Sequence, residues 1–173
     1  SITAANASFL TDGGTAILIM TESKAKELGL RPKSFVKHYA YSGQDLYEEL
    51  LLGPTYATSK VLKESGLTLE DMDVIEFHEA FAGQILANIK CLASDDFAKE
   101  NLGRDKAVGE INMDKFNLWG GSLSLGHPFG ATGARLATTA SNRLIEEGGK
   151  YALLAACAAG AHGHAMILER YEA

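Results

Sequence analysis

The sequence predicts an α/β domain. Short apolar runs of strand length alternate with segments whose apolar residues recur at helical spacing, which is the pattern of an α/β fold. Glycines stand at many of the junctions between these segments. The 173 residues suffice for one domain with a sizeable core, and a composition of 46% hydrophobic and 22% charged residues is typical of a globular protein.

The first half of the chain contains three predicted strands and three predicted helices. Apolar runs predict the strands, and glycines close the first two helices at Gly29 and Gly66. The third strand places His78 at its carboxyl end. In chain order the predicted elements are a strand over 15–20, a helix over 23–28, a strand over 34–41, a helix over 58–65, a strand over 72–77 and a helix over 80–92.

The second half begins with a less regular segment, 94–117, which mixes charges with glycines and is predicted to be a surface excursion or a lid. A strand over 117–125 is expected to run into His127, followed by a helix over 132–147 with apolar residues at helical spacing. Two apolar runs, 151–157 and 164–171, are separated by a Gly/Ala turn and predict a terminal β-hairpin.

Charge and hydropathy exclude several classes of protein. A net charge of −6 with no basic patch argues against a nucleic-acid-binding surface. No apolar run reaches the roughly 18 residues of a membrane span, so no integral membrane segment is expected. Two cysteines, Cys91 and Cys157, make no disulfide framework, which favours a reducing compartment.

His78 opens the segment His78-Glu79-Ala80-Phe81 between a predicted strand and a predicted helix. Open α/β sheets bind ligands at the carboxyl ends of their strands, where a neutral imidazole can donate a hydrogen bond to a carbonyl oxygen. The alternative is a helix-capping histidine, with Glu79 as a favourable charge in the first turn.

The segment Gly126-His127-Pro128-Phe129-Gly130 holds the second histidine. Pro128 biases the preceding residue away from helical geometry, and glycine allows close approach to a ligand. The helix that follows directs free N–H groups back at this turn. Acyl chemistry at His127 is therefore predicted, against the alternative of a glycine-rich turn with a capping histidine.

Cys157 ends a predicted strand and is followed by Ala158-Ala159-Gly160. The thiol fits a nucleophile, an acid/base group or a small buried side chain. Cys91 lies in an amphipathic helix and is expected only to pack. A metal site built from His78, His127, Cys157, His162 and His164 is a further alternative, but the spacing matches no usual zinc pattern, and no metal is predicted.

Taken together, these motifs resemble the C-terminal half of the thiolases over essentially all 173 residues. The form His-Glu-Ala-Phe at 78–81 and the segment Leu51-Leu52-Gly53-Pro54 resemble the fatty-acid β-oxidation branch, including the thiolase subunit of the trifunctional complex and its bacterial relatives. The resemblance implies a βαβαβαββ mixed sheet with helices on both faces. The segments that carry it are Thr3-Ala4-Ala5-Asn6-Ala7-Ser8, Thr11-Asp12-Gly13, His78-Glu79-Ala80-Phe81, Gly120-Gly121-Ser122, 126–133 and Cys157-Ala158-Ala159-Gly160.

The resemblance also implies roles for individual residues. His127 matches the histidine that activates a nucleophilic cysteine and helps to form an oxyanion hole, and His78 matches its partner in that hole. Cys157 matches the acid/base cysteine. Backbone N–H groups at Ala159 and Gly160 match a second oxyanion hole, and the substrate-lining positions are Phe81 and Phe129.

The implied activity is that of a 3-ketoacyl-CoA thiolase of fatty-acid β-oxidation, with coenzyme A and acyl-CoA as substrates and no metal or organic cofactor. The nucleophilic cysteine belongs to an N-terminal half absent from residues 1–173, so this polypeptide alone is predicted to be inactive. A homo-oligomer or β-oxidation complex is implied, in the mitochondrial matrix, the bacterial cytoplasm or the peroxisome. Alternatives are a biosynthetic, acetoacetyl-CoA-forming thiolase and a non-catalytic assembly module.

Overall fold

The computed structural model describes residues 1–172 and shows a mixed α/β fold. Two single turns of 3₁₀ helix, Met113–Lys115 and Phe129–Ala131, lie between the longer elements. The helices are α1 (Glu22–Glu27), α2 (Gly53–Ser65), α3 (Ala82–Leu92), α4 (Asp95–Asn101), α5 (Ser122–Leu125) and α6 (Thr132–Glu146). The strands are β1 (Ser34–Gly43), β2 (Val74–Phe77), β3 (Tyr151–Ala158) and β4 (His162–Arg170).

The four strands form one mixed sheet in the order β1-β4-β3-β2. β4 is antiparallel to both of its neighbours, whereas β2 and β3 are parallel, so the carboxyl ends of β2 and β3 meet at one edge. The predicted terminal hairpin, formed by β3 and β4, is confirmed. A single bridge from Phe116 to Ile75 extends the sheet beyond β2. With that bridge taken as a minimal strand, the strands and main helices from Ser34 onward follow the expected order βαβαβαββ.

Helices cover both faces of the sheet, as expected. Alternation along β3 sends Leu153 and Ala155 to one face and Ala152 and Leu154 to the other. The first face packs against α2 and α3, and the second against α6. The core on the first side includes Val61, Leu62, Phe77, Leu92 and Ile167, and the core on the second includes Leu136, Ala140, Leu144 and Leu168.

The predicted strand over 15–20 is wrong. This segment forms no regular element, and Leu18 and Ile19 are each 75% exposed. Its apolar run indicates a tendency to be covered, but within residues 1–172 no strand pairs with it. Periodicity reports the polarity of a segment and says nothing about which surface would cover it.

The predicted strand over 117–125 is also wrong. Phe116 makes the bridge, but Asn117 adopts a φ of +46° and turns the chain out of the sheet. The rest of the segment forms a turn and the short helix α5. The excursion over 94–117 contains a helix that was not predicted, α4, whose first turn is capped by the Ser94 hydroxyl. α2 begins at Gly53, five residues before its predicted start, with Pro54 in its first turn.

A buried ion pair joins α6 to β2. The Arg143 side chain is fully buried and donates from Nη1 to Glu76 Oε1 at 2.8 Å and to the Lys115 carbonyl at 3.1 Å. Its Nε and Nη2 donate to Glu147 at 2.7 and 3.0 Å. Burial raises the pKa of the Glu76 carboxyl, against the opposing effect of Arg143. The pair therefore fixes α6 against β2, the strand that precedes His78.

Replacing Arg143 by methionine is expected to lower the free energy of unfolding by about 3–5 kcal/mol, because the Glu76 carboxylate would be left buried without its partner. The measurement is urea unfolding. Lys26→Met, which breaks an exposed pair with Glu22, is the control and should cost less than about 1 kcal/mol. Equal losses in the two variants would contradict a structural role for the buried pair.

Candidate active site

His78 continues the line of β2 by one residue. Its backbone N–H donates to the Ala155 carbonyl at 2.8 Å, which fixes the residue at the edge where β2 and β3 end. The residue is only 3% exposed, and its Nδ1 lies 2.9 Å from the Ser122 hydroxyl. His78 does not cap a helix, since α3 begins after Phe81 and has no side-chain cap. The ring is therefore held by a neighbouring loop, with only Nε2 left to meet a ligand.

His127 lies directly beside His78. The ring centroids are 4.1 Å apart and the ring planes are inclined by 35°. The His127 N–H donates to the Phe9 carbonyl at 3.1 Å, and its Nδ1 lies 2.7 Å from the Thr132 hydroxyl, the first residue of α6. Gly126 has a φ of +97° and packs against Thr11 so closely that any side chain there would overlap it.

Asn117 and Glu79 connect the end of β2 to the loop that carries Ser122. Asn117 accepts from the Phe77 N–H at 2.8 Å and donates to the Phe77 carbonyl at 2.9 Å and to Glu79 Oε1 at 2.6 Å. Glu79 Oε2 accepts from the Leu123 N–H at 3.1 Å. One amide and one carboxylate thus replace the strand pairing that is lost where the chain turns away. Sequence reasoning treated Glu79 only as a helix-end charge and did not find Asn117.

Arg135, on the first turn of α6, supplies a positive charge to this cluster. Its Nη2 donates to the Ser122 hydroxyl at 3.3 Å. Burial, together with the neighbouring His127 and Arg135, lowers the pKa of His78 to about 4. Burial and Arg135 also lower the pKa of His127. Both imidazoles are therefore neutral at physiological pH, which is the state needed to donate to a carbonyl oxygen or to accept a proton.

Cys157 lies near the end of β3, two residues beyond Ala155, and so at the same sheet edge as His78. Its pairing partner on β4 is Gly163, which contacts the Gly53 backbone too closely for any side chain. Burial raises the pKa of the Cys157 thiol. The thiol is therefore protonated at neutral pH and suited to deliver a proton. Cys91, the other free cysteine, lies in α3.

The turn after Cys157 contains Ala159 and Gly160. Gly160 and Ala161 have φ values of +85° and +56°, and the Ala161 carbonyl accepts from the Gln44 N–H at 3.0 Å. The turn is thus held from both sides, by β4 and by the end of β1. His162, which opens β4, is exposed.

The two predicted substrate-lining phenylalanines differ in setting. Phe129 is 68% exposed, and its ring centroid lies 4.8 Å from that of His127. It borders an open groove of about 490 Å³ formed by the segments 10–13 and 127–129. Phe81 is half-buried at the start of α3, where it bridges to Ala7. The groove therefore leads to His127 along the Phe129 side.

The structure brings His78 and His127 into contact and places Cys157 at the same edge of the sheet. Within residues 1–172, no group of three or more His, Cys, Asp or Glu side chains is arranged to hold a metal ion. Sequence reasoning missed the supporting residues. Ser122 was seen only as part of a motif, and nothing in the local pattern marked Thr132 or Arg135 as neighbours of the two histidines.

Two neutral imidazoles in contact lie at the sheet edge where β3 carries a protonated thiol, and these are side chains suited to acyl-transfer chemistry. The family model described as the thiolase C-terminal domain matches residues 30–170. The chain belongs to this family. The expected fold and family are confirmed.

Relatives support the same assignment. The chain is 61% identical to the mitochondrial trifunctional enzyme subunit beta of Bos taurus over 171 residues, which cover 99% of this chain and 36% of that protein. It is 58% identical to a 3-ketoacyl-CoA thiolase of Alteromonas mediterranea over 98% of this chain and 39% of that protein. The crystal structure of human mitochondrial 3-ketoacyl-CoA thiolase in complex with CoA superposes with a TM-score of 0.84 at 35% identity, covering 98% of this chain and 38% of that one. The chain thus spans somewhat over a third of the length of these relatives.

The depressed pKa of His78 predicts acid destabilisation. The folded pKa of about 4 lies below the ordinary 6.5, so the unfolded chain takes up this proton first. The free energy of unfolding should therefore fall as the pH drops from about 6.5 towards about 4. His78 should contribute at most about 3 kcal/mol to this loss. His78→Gln should remove that component, as measured by urea unfolding across this pH range.

The matched control for this experiment is His162→Gln, at an exposed imidazole. This variant should keep the pH dependence of the unaltered protein. A His78→Gln variant with the full pH dependence would contradict a buried, neutral His78.

Proposed function

We propose that this chain is the C-terminal half of a 3-ketoacyl-CoA thiolase of fatty-acid β-oxidation. The single observation that carries the proposal is the contact between His78 and His127 at the sheet edge where Cys157 also lies. The names of the relatives, a trifunctional enzyme beta subunit and a 3-ketoacyl-CoA thiolase, support the substrate class. Coenzyme A and acyl-CoA are the substrates in this proposal, and no metal or organic cofactor takes part.

The two histidines have different roles in the proposed reaction. Each uses Nδ1 to contact a hydroxyl, so that Nε2 is the nitrogen available to substrate. In the proposal His78 donates its Nε2–H to the thioester carbonyl oxygen of the acetyl unit. His127 lies next to it on the same side, where it takes the proton of the nucleophilic cysteine supplied by the N-terminal half and then helps to hold the same oxygen.

Thiolysis then proceeds in two stages. The cysteine thiolate attacks the 3-keto carbon, the C2–C3 bond breaks, and its electron pair passes to C2 as the enolate of acetyl-CoA. Cys157 protonates C2 and releases acetyl-CoA. The Cys157 thiolate next takes the proton of an incoming coenzyme A thiol, whose sulfur attacks the acyl-cysteine. The bond from the acyl carbon to the nucleophilic cysteine then breaks, an acyl-CoA shortened by two carbons is released, and the cysteine recovers its proton from His127. Backbone N–H groups at Ala159 and Gly160 hold the oxyanion of the acyl group.

The raised pKa of the Cys157 thiol supports this role. A thiol that stays protonated at neutral pH is a proton donor before bond cleavage, and the enolate is a strong enough base to remove that proton. Phe129, at the mouth of the groove beside His127, is proposed to line the path of the acyl or pantetheine group. Phe81 is proposed to line the same path from the start of α3.

Location and assembly belong to the same proposal. Mitochondrial and bacterial relatives support the mitochondrial matrix or the bacterial cytoplasm, and a homo-oligomer or a β-oxidation complex as the assembled form. Within residues 1–172, no helix is both long and apolar enough to cross a membrane. Exposed apolar side chains, among them Leu18, Ile19 and Phe129, support a covering partner such as the N-terminal half.

The deciding experiment compares the two cysteines in the intact protein. Cys157→Ala should reduce the rate of 3-ketoacyl-CoA thiolysis by about 10²–10⁴-fold, because the enolate loses its proton donor. The readout is loss of the 3-ketoacyl-CoA enolate absorbance in the presence of coenzyme A.

Cys91→Ala is the matched control, since Cys91 lies on α3 away from the carboxyl ends of β2 and β3, and it should retain activity. Full activity in Cys157→Ala would overturn the proposed role of this thiol. Absence of thiolysis in the unaltered intact protein would favour a non-catalytic assembly module.

A further inference from the structure

We propose that Arg135 and Ser122 are positioning residues that hold His78 in its Nε2–H tautomer. The geometry that points to this is a chain of two contacts, from Arg135 Nη2 to Ser122 Oγ at 3.3 Å and from Ser122 Oγ to His78 Nδ1 at 2.9 Å. The inference rests on the proposed function, because only the Nε2–H tautomer can donate a hydrogen bond to a substrate carbonyl oxygen.

The direction of each hydrogen bond follows from the chemistry of the donors. A guanidinium has only N–H donors, so Ser122 must accept from Arg135. The single hydroxyl proton of Ser122 then remains to be placed. Within residues 1–172, His78 Nδ1 is the only acceptor within hydrogen-bonding distance of that hydroxyl. With the hydroxyl donating to Nδ1, the ring proton of a neutral His78 resides on Nε2.

The setting of Arg135 strengthens this assignment. In the described part of the chain its guanidinium makes one hydrogen bond, to Ser122, while its Nε and Nη1 are buried without a partner. Glu76 and Glu79 act on it electrostatically but form no ion pair with it within residues 1–172. A cation buried with so few partners is costly, so its one contact is well placed to polarise the Ser122 hydroxyl and make it a stronger donor.

His127 differs from His78 in what surrounds the hydroxyl at its Nδ1. Its Nδ1 contacts the Thr132 hydroxyl at 2.7 Å, and the described residues place no cationic donor on Thr132. Thr132 is therefore free to accept from Nδ1–H, which would leave Nε2 of His127 unprotonated. Two adjacent imidazoles would then hold opposite tautomers, one as a hydrogen-bond donor and the other as a base.

The groups that face His78 from neighbouring elements define its titration. Arg135 on α6 and His127 before α6 act on its pKa, while Glu76 and Glu79 stand on its own segment and Cys157 lies on β3 at the same sheet edge. Arg135 and His127 both oppose protonation of His78. Removing the positive charge of Arg135 is expected to raise the pH at which His78 takes up a proton.

The first test reads the tautomer directly. Nitrogen-15 NMR of histidine-labelled intact protein, with the His78 signal identified by its disappearance in His78→Gln, should show protonated Nε2 and unprotonated Nδ1 at neutral pH. A protonated Nδ1 on His78 would overturn the proposal. This spectrum requires no turnover, so it decides the tautomer even if the thiolase activity itself is absent.

The second test removes the Ser122 hydroxyl, which connects Arg135 to His78. Ser122→Ala should lower kcat for thiolysis by about 10–100-fold with little change in KM, and should mix the two tautomers in the spectrum. Ser124→Ala is the matched control, because Ser124 lies on the same short helix and, among residues 1–172, its hydroxyl bonds only to the Gly121 carbonyl. Equal kcat values for the two variants would overturn the proposal, and the spectrum of the unaltered protein remains decisive if Ser122→Ala fails to fold.

The third test addresses the charge. Arg135→Met should move the acid limb of the pH–rate profile to higher pH, because neutral His78 is the active form and would now protonate more readily. Arg135→Lys, which keeps the charge, should restore most of the profile. An acid limb that stays in place in Arg135→Met would show that the cation does not act on His78, and would overturn the role assigned to Arg135.

Discussion

The side-chain bridge from Asn117 to the end of β2 supports most of the site. Where the chain leaves the sheet after Phe116, the Asn117 side-chain amide bonds to the backbone N–H and carbonyl of Phe77 in place of a neighbouring strand. The same amide also donates to the Glu79 carboxylate. Glu79 in turn holds the backbone of α5 at Leu123. This bridge helps to fix the position, relative to the sheet, of the loop that brings Ser122 to His78.

The two histidines show how environment separates residues of one type. Both are neutral at physiological pH because of burial and a neighbouring guanidinium, and both contact a hydroxyl through Nδ1. They differ in what lies behind that hydroxyl, which is Arg135 for His78 and the start of α6 for His127. In the proposed function, this difference in the second contact assigns hydrogen-bond donation to one ring and proton transfer to the other.

The N-terminal segment braces the same site from outside the sheet. Ser8 donates to the Ala80 carbonyl, the Phe9 carbonyl accepts from His127, and Thr15 donates to the Ala131 carbonyl. These contacts connect the loop after β2 and the loop before α6 to the same N-terminal segment. The apolar run that follows, 15–20, stays largely exposed within residues 1–172.

The sequence by itself determined the fold class, the terminal hairpin, the core helix α6 and the three segments that carry His78, His127 and Cys157. These features are local, because apolar periodicity and glycine or proline at a junction act within a few residues. Tertiary structure alone decided the rest. Arg143 meets Glu76 across 67 residues and His78 meets Ser122 across 44, separations at which no local pattern records the pairing. The predicted strand over 15–20 was wrong because an apolar run indicates only that a segment favours being covered, and the folded chain decides whether a partner covers it. The predicted strand over 117–125 was wrong because Asn117, at a φ of +46°, turns the chain out of the sheet.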